Sequence, residues 1–350
     1  RFDEEKILIP RLAFHVGESD LRLSGSLARW AESPKARLVI ESSQVDIAAF
    51  LPSPQPSSES RRGRFDGKSW WSEGRVDAFF FADHLYYKKF LVTDLSGRVV
   101  WDHGLLTVER ISGDTNEGHV GGQIKVRSTG RRVEQARSTF HASGIPIERV
   151  LSLVREEPAL SGWLTTSGKL QAEFERTGFT LDALTSRQPI QILIEDGRLY
   201  QVPVISALLS VMNLPAVLQG QVNLAKDGLP LDRLKMVLSI SNGVVQAKEF
   251  LLDSPVLKIS GTGRYDMVLA TSPLGSYSAV LKRIPLFGHL LAGDRQGFDT
   301  AIFELKGSAN NPDLRYLPTE SLMTGLKGTA QLAFDILVNA VTLPQKAYSM

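Results

Sequence analysis

Leu234-Lys235-Met236-Val237-Leu238-Ser239-Ile240-Ser241-Asn242-Gly243 is the stretch on which the reading of the fold turns. Leu234, Met236, Leu238 and Ile240 recur at every second position. Side chains two apart lie on one side of an extended strand, so this run predicts a strand with an apolar face. Asn242-Gly243 then suits the positive dihedrals of a two-residue hairpin turn and predicts that the chain folds back. Ile190, Ile192 and Ile194 alternate in the same way toward Asp196-Gly197, a second predicted turn. Leu257 and Ile259, Met267 and Leu269, then Ala301, Phe303 and Leu305 continue the period.

The same style runs through the N-terminal half. Leu21, Leu23, Gly25 and Leu27 alternate, as do Leu38 with Ile40 and Val76, Ala78 and Phe80. Val99 with Trp101, Leu106 with Val108, and Ile124 with Val126 follow. Ser96-Gly97, Asp102-His103-Gly104, Ser112-Gly113-Asp114 and Glu117-Gly118 predict turns between them. One helical turn is predicted over 46–51 and a short amphipathic helix over 146–156, with Pro146 in a first helical position. Residues 52–64, rich in Pro, Ser and Arg, predict a loop or linker. Strand reading resumes over 163–175.

Three apolar segments depart from period two: 204–213, 276–292 and 319–341. The first carries Val204 and Leu208. The second carries Leu281, Ile284, Phe287 and Leu291, with Pro285 expected to kink it. The third carries Leu322, Leu326, Ile336 and Leu337 near helical spacing. Each is expected to be a helix that either caps the sheet or contacts a membrane surface. None offers the roughly 20 predominantly apolar residues of a transmembrane span. Any such anchor is expected to lie outside this chain.

Composition narrows the function. The 350 residues include 40 Lys plus Arg and 38 Asp plus Glu, a net charge of +2, with 43% hydrophobic residues. That balance excludes intrinsic disorder and argues against a dedicated nucleic-acid binder. No cysteine is present, which excludes disulfides, zinc thiolates and a thiol nucleophile. His15, His84, His103, His119, His141 and His289 have no metal-ligand spacing. Gly63 to Ser69 resembles a phosphate loop but is one residue short between its glycines. No catalytic residue, metal or cofactor is expected. Strands with one apolar face leave two architectures open: a closed sandwich, or an open curved sheet whose apolar face lines a groove.

A family resemblance bears on that choice. Ser272-Pro273-Leu274-Gly275-Ser276-Tyr277, Ile284-Pro285-Leu286-Phe287-Gly288 and Leu290-Leu291-Ala292-Gly293-Asp294 resemble the C-terminal region of AsmA-like proteins, the YhdP/TamB group. Phe303-Glu304-Leu305-Lys306-Gly307, Asn311-Pro312-Asp313 and Tyr316-Leu317-Pro318 resemble that region's closing strand. Ile194-Glu195-Asp196-Gly197-Arg198-Leu199-Tyr200 and Pro203-Val204-Ile205-Ser206 also fit. The resemblance is specific over 188–344 and weak over 1–187.

It implies a mainly β protein with a few helices: an extended, curved, taco-like antiparallel sheet with apolar helices at its distal end. It implies residence in the periplasm of a Gram-negative bacterium, with an inner-membrane helix outside this chain. The expected role is non-enzymatic, a bridge carrying phospholipid acyl chains between inner and outer membranes. The alternative is a structural or assembly protein of outer-membrane biogenesis acting through protein contacts. Phospholipid, an outer-membrane surface and an envelope protein are the expected partners, and nucleic acid is not. The expected organisation is a β-repeat segment over 1–51, a linker over 52–74, and a β-groove segment with a short helix over 75–187. An AsmA-like C-terminal β region over 188–317 and an amphipathic helix and tail over 318–350 follow. The groove residues expected from these patterns are Val76, Ala78, Phe80, Ile190, Ile192, Ile194, Leu234, Met236, Leu238, Ile240, Phe303 and Leu305.

Overall fold

A computed structural model describes residues 2–3, 6–28, 33–50, 74–129, 132–153, 159–174, 183–200, 228–255, 257–263, 267–273, 301–308 and 311–317, together with 333 and 336. The predicted linker over 52–64 and the predicted helices over 204–213 and 276–292 lie outside the described residues, as does all but 333 and 336 of the segment over 319–341.

The chain is mainly β, and its described strands form one 17-stranded sheet. They are β1 (Phe2–Asp3), β2 (Lys6–Val16), β3 (Ser19–Ala28), β4 (Lys35–Asp46), β5 (Arg75–Tyr87) and β6 (Phe90–Asp102). Next come β7 (Leu105–Asp114), β8 (His119–Thr129), β9 (Arg132–Pro146), β10 (Leu160–Glu173) and β11 (Leu184–Leu199). β12 (Leu229–Ser241), β13 (Val244–Asp253), β14 (Leu257–Gly263), β15 (Met267–Pro273), β16 (Ala301–Ser308) and β17 (Asn311–Tyr316) complete the series. The registered pairs join strands consecutive in sequence and are antiparallel, with one exception. β4 and β5 run parallel, Lys35 opposite Arg75 and Asp46 opposite Tyr86.

The chain clusters into two compact units. The N-terminal unit comprises Arg1–Ile145, Ser152–Val154 and Ser167–Arg187; the C-terminal unit comprises Pro146–Leu151, Arg155–Thr166 and Gln188–Met350.

Local chemistry accounts for the turns. Asn242 and Gly243 hold φ of 49° and 74° and close the predicted hairpin between Ser241 and Val244. His103 and Gly104, at 47° and 82°, close β6 onto β7. Three other predicted turns are corrected. Ser96-Gly97, Ser112-Gly113-Asp114 and Asp196-Gly197 all lie within strands. Gly97 leaves room for the Phe80 ring, which would lie 2.5 Å from a Cβ there. Gly197 lets β10 approach, since a Cβ there would stand 2.0 Å from the Ser161 carbonyl oxygen. A glycine needed for close approach and a glycine needed for a turn read alike in sequence.

The predicted turn over 46–51 forms a 3₁₀ turn at Ile47–Phe50. The helix expected over 146–156 is shorter, α1 (Ile147–Leu151), with Pro146 closing β9 instead of opening the helix. Ala333 and Ile336 are helical. No helix among the described residues is long and apolar enough to cross a membrane.

Candidate functional site

In the C-terminal unit the expected groove residues share one face of the sheet. β11 meets β12 through Ile190↔Leu238, Ile192↔Met236 and Ile194↔Leu234. β12 passes that face to β13 through Leu234↔Leu252, Met236↔Phe250 and Ile240↔Val245, with Lys248 as the extra residue of a bulge. The face continues through Leu252↔Ile259 and Phe250↔Gly261, then Gly261↔Leu269 and Gly263↔Met267. It reaches β16 at Leu269↔Phe303 and Met267↔Leu305. Gln191 and Lys235 stand on the opposite face, where Lys235 pairs with Glu249 at 2.8 Å. The paired residues from Ile190 to Leu305 on this face are uncharged, while Asp196 and Asp232 follow Ile194 and Leu234 at strand spacing.

Burial along this face is graded. Ile194, Leu234, Leu252 and Ile259 form a fully buried row. In the next row Leu269 and Phe303 are buried while Ile192, Met236 and Phe250 are half-buried. Ile190, Leu238, Met267 and Leu305 are half-buried, and beyond them Val245 is 48% exposed. From the buried row the face opens toward Val245 at one end, and at the other it runs into the exposed Asp196 and Asp232.

The opposite face of the same unit is also covered over β14 and β15. The Ser260 hydroxyl donates to the Ala333 carbonyl at 2.5 Å, and Ala333 and Ala270 are buried against each other. A helical residue of the expected C-terminal segment is thus seated on the sheet, and Ile336 beside it is half-buried. Val204, Leu208, Leu281, Ile284, Phe287, Leu291, Leu322, Leu326 and Leu337 lie outside the described residues.

The N-terminal unit carries its own apolar face. Val76, Ala78 and Phe80 register with Trp101, Val99 and Gly97 on β6, and with Ala36, Leu38 and Ile40 on β4. Through Leu23↔Ile40 and Leu12↔Leu23 the face extends to β2. Through Val99↔Val108 and Val108↔Ile124 it extends to β8. Ala36 and Ala78 are buried, Phe80, Val99 and Trp101 are half-buried, and Leu12 is 51% exposed. The sequence reading missed Leu12 and Phe14. They alternate, but a bulge after Ile9, at Pro10-Arg11, shifts them out of phase with Ile7 and Ile9.

Most of the paired charges stand on the other side. Arg98 reaches Asp77 through two bonds, at 2.8 and 2.7 Å. That hydrogen bond, together with the guanidinium's charge, outweighs partial burial and holds the Asp77 carboxyl below its usual range. In the C-terminal unit Arg233 and Lys258 both meet Asp253, at 3.4 and 3.1 Å. Asp232 nearby is pushed up, first by burial and then by the charges of Asp253 and Asp196.

One polar constellation has catalytic residue types. His119 Nδ1 lies 2.8 Å from Asp114 and its Nε2 lies 3.4 Å from the Ser112 hydroxyl. Asp114 and His119 are registered partners on β7 and β8, so the hairpin itself brings the group together. Acyl transfer also needs donors for an oxyanion and a wall against water. These three side chains stand on a single hairpin, with Asp114 and His119 well exposed. Among the described residues no group of three His, Asp or Glu could hold a metal ion. No family model, curated protein or solved structure matches this chain.

Proposed function

We propose that this chain is a non-enzymatic lipid-transfer protein of the bridge kind, working in the periplasm of a Gram-negative bacterium between inner and outer membranes. The observation that carries the reading is a largely apolar sheet face in each unit, open to solvent over part of its length. A soluble protein leaves such a face uncovered when something apolar occupies it in use. An acyl chain suits it: each CH₂ removed from water contributes about 0.8 kcal/mol, without directional bonds. The resemblance of residues 188–344 to AsmA-like proteins supports the same class of cargo.

Photo-crosslinking amino acids separate the faces. Placed at Leu238 or Phe80, both half-buried on the apolar faces, they are expected to capture phospholipid from cell envelopes. At Gln191 or Lys235 they are expected to capture none. Equal labelling of both sets would remove the acyl-chain reading and leave an assembly role through protein contacts.

A further inference from the structure

The face opposite Val76 and Phe80 in the N-terminal unit carries a charge pattern that the acyl-chain reading does not use. Two neighbouring rows cross β2 to β9. The first contains Lys6, Lys35, Arg75 and Arg127. The second contains Arg37, Lys125 and Arg137. Every one of these cations is exposed. Among the described side chains the carboxylates beside them are Asp77, Asp102 and Glu173, so positive charge is in clear excess in a chain whose net charge is only +2.

Two like-charge pairs face each other across strands, and among the described residues only Arg75 of the four meets a carboxylate, Asp102 at 3.7 Å. Lys35 stands directly opposite Arg75, and Lys125 directly opposite Arg137. Like charges facing each other across a strand pair are destabilising. An anion placed over such a face would relieve that repulsion. Apolar side chains are interleaved with the cations. Leu8 lies in the second row and Leu105 in the first; Phe79 and Phe81 follow on β5, where Glu41 stands opposite Phe81 and Arg98, paired with Asp77 and Glu109, lies over the Phe79 ring at 5.6 Å. All four apolar side chains are exposed.

We propose that this face of the N-terminal unit docks on the anionic headgroups of a phospholipid bilayer. Cations beside exposed aliphatic and aromatic groups match a membrane interface, where the charges meet phosphates and the apolar groups enter the headgroup layer. The rows span eight strands, roughly 30 Å at the spacing of a sheet, which suits a surface more than a single strand of nucleic acid. Leu8 and Leu105 offer a sugar-phosphate backbone nothing. The choice of lipid rests on the reading above; the charge array does not.

Flotation of the full chain tests this. The vesicles are phosphatidylcholine alone, or phosphatidylcholine with about a third phosphatidylglycerol, in low and high salt. Binding is expected to the anionic vesicles only and to fade in high salt. The double variant Lys35→Ser, Arg75→Ser is expected to bind roughly thirtyfold more weakly. Its melting temperature should stay close to the parent's, because the variant loses an exposed ion pair to Asp102 together with a like-charge pair. Lys248→Ser, in the C-terminal unit, is expected to bind as the parent does. Equal binding to neutral vesicles, undiminished binding by the double variant, or tighter binding to an oligonucleotide at the same salt overturns the proposal. Photo-capture at Leu238 and Phe80 reads the opposite face. Capture without charge-dependent flotation sinks the docking surface alone, and flotation without capture sinks the acyl-chain reading alone.

Discussion

Asp20 is the residue whose chemistry is most completely determined. Its carboxylate accepts from the Ser42 hydroxyl at 3.0 Å and from the Ser43 N–H, the Ser43 hydroxyl and the Gln44 N–H at 2.9 Å each. Partial desolvation pushes its pKa up, but the bonds from Gln44, Ser43 and Ser42 outweigh that and hold it at about 2 against an ordinary 3.8. A depressed folded pKa stabilises the fold above the unfolded value. The contribution is full above about pH 4 and is lost as pH falls through about 2. Asp20→Ala leaves the Ser43 and Gln44 N–H groups to water and is expected to cost about 1 kcal/mol at neutral pH. Denaturant midpoints measured at pH 7 and at pH 2 check this: the gap between parent and variant should narrow in acid. None of this was legible in the sequence, because an aspartate at the start of a strand looks like any solvated turn residue until its partner strand is placed.

At the scale of elements, periodicity was legible and irregularity was not. Ile190, Ile192 and Ile194 alternate, as do Leu234, Met236 and Leu238, and the two sets stand opposite each other pair by pair across β11 and β12. Asp196-Gly197 looked like the end of that strand, yet β11 runs on to Leu199 with Asp196 at φ 51°. Turn chemistry and bulge chemistry use the same residues, because both need a backbone that turns left and a position without a Cβ. The glycine's partner decides between them, and the partner is Gly162 on β10, whose Cα would lie 3.1 Å from a Cβ on Gly197. Gly197→Ala would therefore force β10 and β11 apart. The expected cost is about 1–3 kcal/mol, the usual range for overpacking a site that can give only through its backbone. Thermal melts check the magnitude. Hydrogen exchange should quicken at Tyr200, whose N–H donates to the Ala159 carbonyl across the same two segments. An alanine variant as stable and as protected as the parent would return Asp196-Gly197 to an ordinary turn.

For the molecule as a whole, the question raised by the three apolar segments predicted as helices is whether they cap the sheet or stand on a membrane. Sequence could not decide, since both roles ask for the same amphipathic pattern near helical spacing. The described part of the third segment bears on it at one point. Ala333 is fully buried against Ala270, and its carbonyl takes the Ser260 hydroxyl, itself fully buried. A small residue at that position lets the helix backbone come within hydrogen-bond reach of the strand, and it places the seat on the face opposite Ile259 and Leu269. Covering there contributes to the fold of the C-terminal unit and leaves the open rows at Ile190, Leu238 and Leu305 untouched. Two substitutions follow from the geometry. Ala333→Leu adds bulk with nowhere to go and is expected to cost about 1–3 kcal/mol. Ala333→Asp buries an unpaired carboxylate, which costs several kcal/mol and is expected to unfold the C-terminal unit at moderate temperature. Circular dichroism melts of both variants, set beside vesicle flotation of Ala333→Leu at a temperature where it remains folded, check the assignment. A cap lowers the melting temperature and leaves flotation of the folded protein as it was. An Ala333→Leu protein that melts with the parent but no longer floats would make this helix a membrane foot, and Ser260 would then be the anchor of a surface element instead of part of a core.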